Sequence, residues 1–173
     1  MLKFIHITKT AGTSIESVSK SKNILWGIND RDTGYNIKHC LLPKHISCKN
    51  LNSYDWFTVV RNPYTRIISS VNWVHKRYMQ NALPNHRFIK YYAKIYKDYS
   101  HDKKKLLNKY IFIALNNLDV KGNHFTPQYL YTEDILNLNI VKYENIDSDF
   151  SNLMKKYNLD IKLNGRVNVS CGY

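Results

Sequence analysis

Residues 4–14 read FIHITKTAGTS, an apolar run that passes directly into a turn of small and hydroxyl-bearing residues. The run 2–7, interrupted only by Lys3 and His6, predicts a short buried strand. Residues 15–18 then predict the start of a helix. A strand, a tight turn and a helix N-terminus together form an anion site, because backbone N–H groups and the positive end of the helix dipole converge there.

Lysine and hydroxyl side chains in this turn add donors to those backbone groups. Lys9 brings a full positive charge, and Thr10, Thr13 and Ser14 bring hydroxyl groups. In nucleotide triphosphatases the lysine directly follows the last glycine and a magnesium-binding hydroxyl comes next. Here Lys9 lies three residues before Gly12. The turn therefore predicts an anion site of another class, and an ordinary strand-to-helix turn rich in Thr and Ser is the alternative.

A second strand, turn and helix follow at residues 56–78. The run 56–60 reads WFTVV, which is continuous, aromatic and β-branched, as in a buried parallel strand. It ends at Arg61, and Pro63 is suited to open a helix whose apolar residues recur every three or four positions. Ligands of α/β sheets collect at the C-terminal ends of the strands. We therefore expect both turns to serve one site.

The two turns resemble those of sulfotransferases, in particular the carbohydrate O-sulfotransferases. The order H-I-x-K-T-A-G-T-S resembles the 5′-phosphosulfate loop of this family. The resemblance implies that the following residues bind that group: Lys9, Thr10, Ala11, Gly12, Thr13 and Ser14. Residues 61–69 have every fixed position of the family's 3′-phosphate motif, R-x-P-x-x-R-x-x-S. By the same resemblance, Arg61 and Ser69 are expected to bind the 3′-phosphate.

Residues 124–128 extend the resemblance. They read HFTPQ and are similar to an H-x-x-P-Q segment of carbohydrate sulfotransferases. This similarity implies that His124 and Gln128 contact the acceptor. For His124, a structural hydrogen bond is the alternative.

Two later stretches are also similar to the family. Residues 141–150 contain the string K-Y-E followed by D-F, in which we expect Glu144 to be a buried partner of a backbone or basic group. Residues 166–170 resemble the late N-x-S loop that closes over the cofactor. That similarity implies that Arg166 and Ser170 bind the cofactor.

The reaction implied by the resemblance is sulfuryl transfer from 3′-phosphoadenosine 5′-phosphosulfate to an acceptor hydroxyl, with a glycan hydroxyl as the first expectation. Such a transfer resembles phosphoryl transfer, in which positioning and stabilisation of charge on the leaving oxygen dominate. Lys9 is expected to stabilise the leaving oxygen. Neither turn carries an Asp or Glu placed to hold a metal ion, so no metal is expected.

A histidine is the expected base for the acceptor hydroxyl, because its pKa lies near neutrality. His39 lies 22 residues before Arg61, close to where related carbohydrate sulfotransferases carry their catalytic histidine. His45, 16 residues before Arg61, is the second candidate. A surface histidine in a basic loop is the alternative for both. His6 lies inside the first predicted strand, so we expect it to be structural.

Composition favours an anionic partner. The 173 residues include 26 Lys+Arg and 13 Asp+Glu, a formal net charge of +13. The length predicts a single domain, 1–173. Three cysteines without metal-ligand spacing predict reduced thiols. Without a signal peptide or a membrane-spanning run, a cytoplasmic protein is expected, and a Golgi location only if an N-terminal anchor was removed.

These patterns predict an α/β fold, a compact, P-loop-like short parallel sheet flanked by helices, as in sulfotransferases. Beyond the two turn units, the expected elements are a strand at 23–28, a loop at 29–36, helices within 82–100 and 103–118, a strand at 138–143 and a helix after 147. Two other functions remain open. A metal-dependent small-molecule kinase would need magnesium, and a basic nucleic-acid-binding module would show a steep salt dependence.

Overall fold

The computed structural model describes residues 1–24, 26–27, 29–30, 35–36, 41, 51–82, 87–116 and 124–163, without the side chains of residues 29, 30, 35, 36, 87, 88 and 114. The described residues form two compact units. The first unit draws on Met1–Asn62 and Pro127–Val169, and the second on Pro63–Thr126.

The described elements follow one another as β1 (Leu2–Ile5), α1 (Gly12–Ser21), β2 (Asn29–Asp30), β3 (Tyr35–Asn36), β4 (Asp55–Val60), α2 (Pro63–Met79), α3 (Arg87–Tyr99), α4 (Lys103–Leu115), β5 (Leu138–Lys142) and α5 (Ile146–Lys156). Two 3₁₀ helices, Gln128–Tyr131 and Tyr143–Asn145, lie on either side of β5.

The first unit is built on a three-stranded parallel sheet. β4 lies in the middle, pairing Phe57 with Phe4 of β1 and Val59 with Val141 of β5. Because side chains alternate between the two faces of a strand, Phe57 and Val59 pack with α1 and α5 on one face. Trp56 packs on the other face with Tyr131. The expected α/β class, with a short parallel sheet flanked by helices, is confirmed.

The prediction of a strand at residues 23–28 is wrong for the residues described there. Asn23 ends the turn after α1 with positive φ, and Gly27 has a φ of 72°. Trp26 is buried because its indole N–H donates to the Leu2 carbonyl at 3.0 Å and its ring packs edge-on against Phe57. One aromatic anchor in a loop therefore gave this segment the apolar pattern of a strand. The predicted loop after it contains the short antiparallel pair β2–β3.

The second unit is helical. α2, α3 and α4 bury a common apolar cluster made of Val71, Val74, Ile89, Tyr92, Ile95, Leu106, Tyr110 and Phe125. Tyr92 is fully buried and accepts or donates a bond with His75 Nδ1 at 2.8 Å. Tyr91, Tyr92, Tyr96 and Tyr99 of α3 recur at helical spacing, and all four belong to this cluster or pack against it. Over the described part of the chain, no helix is both long and apolar enough to cross a membrane.

Candidate anion site at the ends of the parallel strands

The turn between β1 and α1 has strained backbone. Lys9 and Ala11 have φ values of 65° and 71°, a left-handed conformation that costs a non-glycine residue about 1–3 kcal/mol. Ala11 is the N-cap of α1 and makes no side-chain capping bond. The N–H groups of Gly12 and Thr13 have no carbonyl acceptor within the helix, since they belong to its first turn. Turns of this kind form concave nests of N–H groups that suit an anion.

The hydroxyl side chains of this turn have different surroundings. Thr10 is fully buried, and its hydroxyl donates to the Ile7 carbonyl at 2.9 Å, a hydrogen bond that stabilises the turn. Ser14 is also buried, whereas Thr13 is exposed and Lys9 is half-buried. Of the three hydroxyl groups predicted to bind an anion, that of Thr13 is the one open to solvent. The Thr10 side chain has an internal structural role.

A buried histidine lies beneath the turn. His6 is 3% exposed, and its Nδ1 bonds to Oε1 of Glu16, which is 5% exposed. The same ring lies against Gly12, where an added Cβ would come within 2.1 Å of the ring atoms Cδ2 and Nε2. Gly12 is therefore required by close packing. The expected structural role of His6 agrees with this burial.

Arg61 brings the end of β4 to the turn that follows β1. Its Nη1 lies 3.4 Å from the Lys9 carbonyl oxygen. Its guanidinium carbon lies 4.1 Å from the ring centroid of Tyr143, which follows β5, a distance at which a cation is attracted to the ring face. The ends of all three parallel strands thus contribute to one place, and the Arg61 guanidinium contacts the backbone of the turn that carries Lys9.

Gln128 fixes the backbone of Arg61. The Arg61 N–H donates to Gln128 Oε1 at 2.9 Å, and Gln128 Nε2 donates to the Arg61 carbonyl at 2.8 Å. This pair of bonds satisfies both backbone groups of the residue that leaves β4. The contacts of the Gln128 amide position Arg61, and the expected contact with an acceptor stays a prediction.

Glu144 holds the next residue of the same turn. Its Oε1 accepts the Asn62 N–H at 2.9 Å. This N–H lowers the pKa of Glu144, and the charges of Arg61 and Lys142 act in the same direction. The expected backbone partner is present, although Glu144 is exposed rather than buried. Asp149 acts similarly one turn further on, accepting the Lys142 N–H at 3.0 Å.

The remaining motif residues of the second turn lie on α2. Arg66 is buried, and its Nη1 donates to the Thr126 carbonyl at 2.8 Å. Arg66 therefore ties α2 to the segment that precedes Pro127. Ser69 is half-buried on the same helix, and its role as a phosphate ligand stays a prediction.

His124 is buried in the second unit. Its Nδ1 lies 2.8 Å from the hydroxyl oxygen of Ser70, and the Trp73 ring packs edge-on against it at 5.1 Å between centroids. These contacts give His124 the structural hydrogen bond that was its alternative. A contact with an acceptor stays a prediction.

Four predicted site residues lie outside the described part of the chain. They are the two candidate bases and the two residues of the late loop: His39, His45, Arg166 and Ser170. Two described residues were missed as parts of the site, Glu16 and the ring of Tyr143. The signal for Glu16 was its place four residues after Gly12, on the same face of α1. Nothing local to Tyr143 indicated that Arg61 would lie over its ring.

Comparison of the chain with protein-family models, with curated proteins and with solved structures found no match. Its function is therefore inferred from the two turns, from their contacts and from the chemistry that these contacts allow.

Proposed function

We propose that this protein transfers a sulfuryl group from 3′-phosphoadenosine 5′-phosphosulfate to an acceptor hydroxyl, as the carbohydrate O-sulfotransferases do. The observation that carries the proposal is the 3.4 Å approach of Arg61 Nη1 to the Lys9 carbonyl, at the C-terminal ends of adjacent parallel strands. Two cations beside a helix N-terminus suit a ligand with two anionic groups. On this proposal the chain has the sulfotransferase variant of the P-loop fold.

The chemistry of the donors fits the phosphates of that ligand. The start of α1 has no side-chain capping bond and no acidic residue in its first turn, which suits an anionic ligand there. Lys9 and Thr13 add a charge and a solvent-facing hydroxyl. Arg61 offers a guanidinium fork whose direction is set by the Tyr143 ring and by Gln128. These residues would hold the two ends of the nucleotide, with Ser69, Arg166 and Ser170 as further proposed ligands.

When bound, the donor supplies the sulfuryl group and a phosphate leaving group. Lys9 and the N–H groups of the turn stabilise negative charge that develops on the leaving oxygen. His39 takes the proton of the acceptor hydroxyl, and His45 is the second candidate for this role. A carbohydrate hydroxyl is the proposed acceptor. Gln128 acts by positioning Arg61, and His124 is retained as a proposed acceptor contact.

A ligand comparison tests the proposal. Adenosine 3′,5′-bisphosphate, the product left after transfer, should raise the melting temperature, because a ligand at one hundred times its Kd adds about 2.7 kcal/mol of stability. ATP with magnesium and a single-stranded oligonucleotide are measured in parallel. A larger shift with ATP and magnesium would favour the kinase. Oligonucleotide binding that weakens steeply with salt, without a bisphosphate effect, would favour the nucleic-acid-binding module.

Turnover variants test the base. His39→Ala should leave bisphosphate affinity unchanged and lower turnover on any accepted glycan by roughly 10²–10⁴, the usual effect of removing a general base. Wild-type turnover in His39→Ala would reject this role and transfer the test to His45→Ala. A wild-type reaction that needs added magnesium would argue against the sulfuryl mechanism itself.

A further inference from the structure

His6 connects the two ends of the strained turn. Its backbone directly follows β1, and its ring reaches the first turns of α1, where it contacts Gly12 and Glu16. Gly12 and Glu16 are four residues apart and therefore lie on the same face of the helix. One side chain thus contacts α1 at two successive turns and closes the base of the loop 7–11.

The pair is enclosed on every side that the structure describes around it. Glu16 lies next to Gly27, where an added Cβ would be 3.0 Å from Glu16 Oε1 and 3.2 Å from Cδ1 of Phe4. The Phe4 ring also packs against His6, with 5.9 Å between ring centroids. Burial of a polar pair in such surroundings costs desolvation, and in some proteins such a pair is what fixes one defined geometry. A matched apolar pair would fill the same space without fixing a direction.

The loop 7–11, next to the His6–Glu16 pair, has a backbone conformation that other contacts must hold in place. Lys9 and Ala11 are held in the left-handed region, at φ 65° and 71°. Non-glycine residues keep this strained conformation only where several surrounding contacts hold it. The Thr10 bond to Ile7 acts inside the loop, whereas the His6 ring fixes both ends of the loop at once.

We propose that His6 and Glu16 are positioning residues that hold the loop 7–11 in its anion-binding shape before ligand arrives. This inference rests on the proposed function and names how its 5′-phosphate subsite is preorganised. Preorganisation lowers the cost of ordering the loop on binding. Loss of the pair should therefore weaken ligands held by this loop much more than ligands held through Arg61, whose backbone is fixed by Gln128.

The test compares two mononucleotides in three variants. Glu16→Ala removes the bond to His6, Glu16→Gln keeps an oxygen acceptor without the charge, and Val18→Ala creates a buried defect on the same helix away from the pair. Affinities for adenosine 5′-monophosphate and adenosine 3′-monophosphate are measured by competition against the bisphosphate, well below each melting temperature. Glu16→Ala should lose tenfold or more in affinity for the 5′-nucleotide and less than twofold for the 3′-nucleotide. Glu16→Gln should lose threefold or more in affinity for the 5′-nucleotide but less than Glu16→Ala loses, and Val18→Ala should lower only the melting temperature.

Three results would overturn the inference: a loss of less than tenfold for the 5′-nucleotide in Glu16→Ala, an equal loss for both nucleotides, or the same selective loss in Val18→Ala. If Glu16→Ala does not fold, Glu16→Gln decides, with a selective loss of threefold or more expected and any smaller one contradicting the inference. A wild-type protein that binds neither nucleotide nor the bisphosphate would instead reject the proposed function. The two failures are therefore distinguishable.

Discussion

The turn after β1 and the turn after β4 are each followed by a helix, but different parts of the chain hold them. The first turn is held mainly from within residues 6–16, by the Thr10 hydroxyl and by the His6 ring, and Arg61 adds one contact to the Lys9 carbonyl. The second is held by Gln128 and Glu144, which are 67 and 82 residues away from the backbone groups they bind.

The difference extends to the backbone. The first turn contains two left-handed non-glycine residues, whereas residues 61–63 are not among the described residues with positive φ. A strained loop needs many local contacts to keep one shape, and an unstrained strand end needs only that its N–H and carbonyl groups find partners. On the proposed function, this contrast assigns charge stabilisation to the first, strained turn and the direction of one arginine to the second.

Lys9→Ala should have the largest effect, if the first turn stabilises charge on the leaving oxygen. Removing one such donor typically lowers kcat by about 10²–10³, and the bisphosphate should also bind more weakly, because Lys9 contacts the 5′ side in the ground state too. Steady-state kinetics on an accepted glycan measure both effects. Lys20→Ala, exposed near the other end of α1, removes the same charge as a control. An equal loss in both variants would mean that net charge alone matters.

Arg61→Ala should come next, as a loss of binding. A hydrogen bond to a charged group contributes about 1.5–3 kcal/mol, so calorimetry should show bisphosphate affinity falling by roughly 10- to 150-fold. Adenosine 5′-monophosphate, which lacks the 3′-phosphate, should respond little. The matched control is Arg77→Ala, since Arg77 also lies over an aromatic ring, that of Trp73, at 5.9 Å. Unchanged bisphosphate affinity in Arg61→Ala would remove the 3′-phosphate assignment.

The sequence predicts those elements that have local signals and misses the contacts made with distant parts of the chain. β4 and the opening of α2 at Pro63 were predictable, because a continuous β-branched run and a helix-opening proline are local signals. The strand and helix on either side of the first turn were predictable for the same reason. Glu144 was expected to bond a backbone or basic group, but that the group would be the Asn62 N–H could not be foreseen, because a partner 82 residues away has no local signal.

Local signals also misled in two places. Trp26 belongs to an apolar run that resembled a strand. In the structure its indole is buried from a loop, where its N–H donates to the Leu2 carbonyl. The Thr10 hydroxyl was expected to face a ligand, but it donates to the Ile7 carbonyl instead. Composition gives the number of hydroxyl groups in a turn, and only the turn's conformation decides which of them point outward.

Gly12→Ala should destabilise the first turn, against the usual trend for a helix. Alanine normally stabilises a helix relative to glycine by about 1 kcal/mol. Here its Cβ would meet ring atoms of His6 at 2.1 Å, and overpacking of this kind costs about 1–3 kcal/mol. Urea unfolding measures the difference. Ser17→Ala, exposed on the same helix, should be neutral or stabilising. Adding His6→Asn removes the clashing ring atoms and should recover part of the loss; an increase in stability in Gly12→Ala alone would contradict the close contact.

Gln128→Met should loosen the second turn by a smaller amount. The substitution keeps the length of the side chain and removes both bonds to the Arg61 backbone. Both bonds are only partly buried, so each should contribute in the lower part of the usual range, about 0.5–1 kcal/mol, and the free energy of unfolding should fall by about 1–2 kcal/mol. Gln80→Met, at an exposed position after α2, should change stability by less than about 0.5 kcal/mol. Equal stability in the two variants would mean that the paired amide bonds do not hold Arg61.

Glu144 should give the smallest effect, and one that depends on pH. The Asn62 N–H lowers its pKa in the folded protein below the ordinary value of 4.5. A carboxylate whose folded pKa is depressed contributes stability above its unfolded pKa and loses that contribution as pH falls through the folded value. Glu144→Gln keeps an oxygen acceptor for Asn62 but does not titrate. The wild type should therefore be the more stable protein at pH 7, by less than about 1 kcal/mol because solvent screens this exposed side chain. That advantage should shrink as the pH is lowered below 4.5. Urea unfolding across this range, with Glu133→Gln as the charge-matched control, measures the difference. An advantage that stays constant down to low pH would show that the charge on Glu144 does not help to hold the second turn.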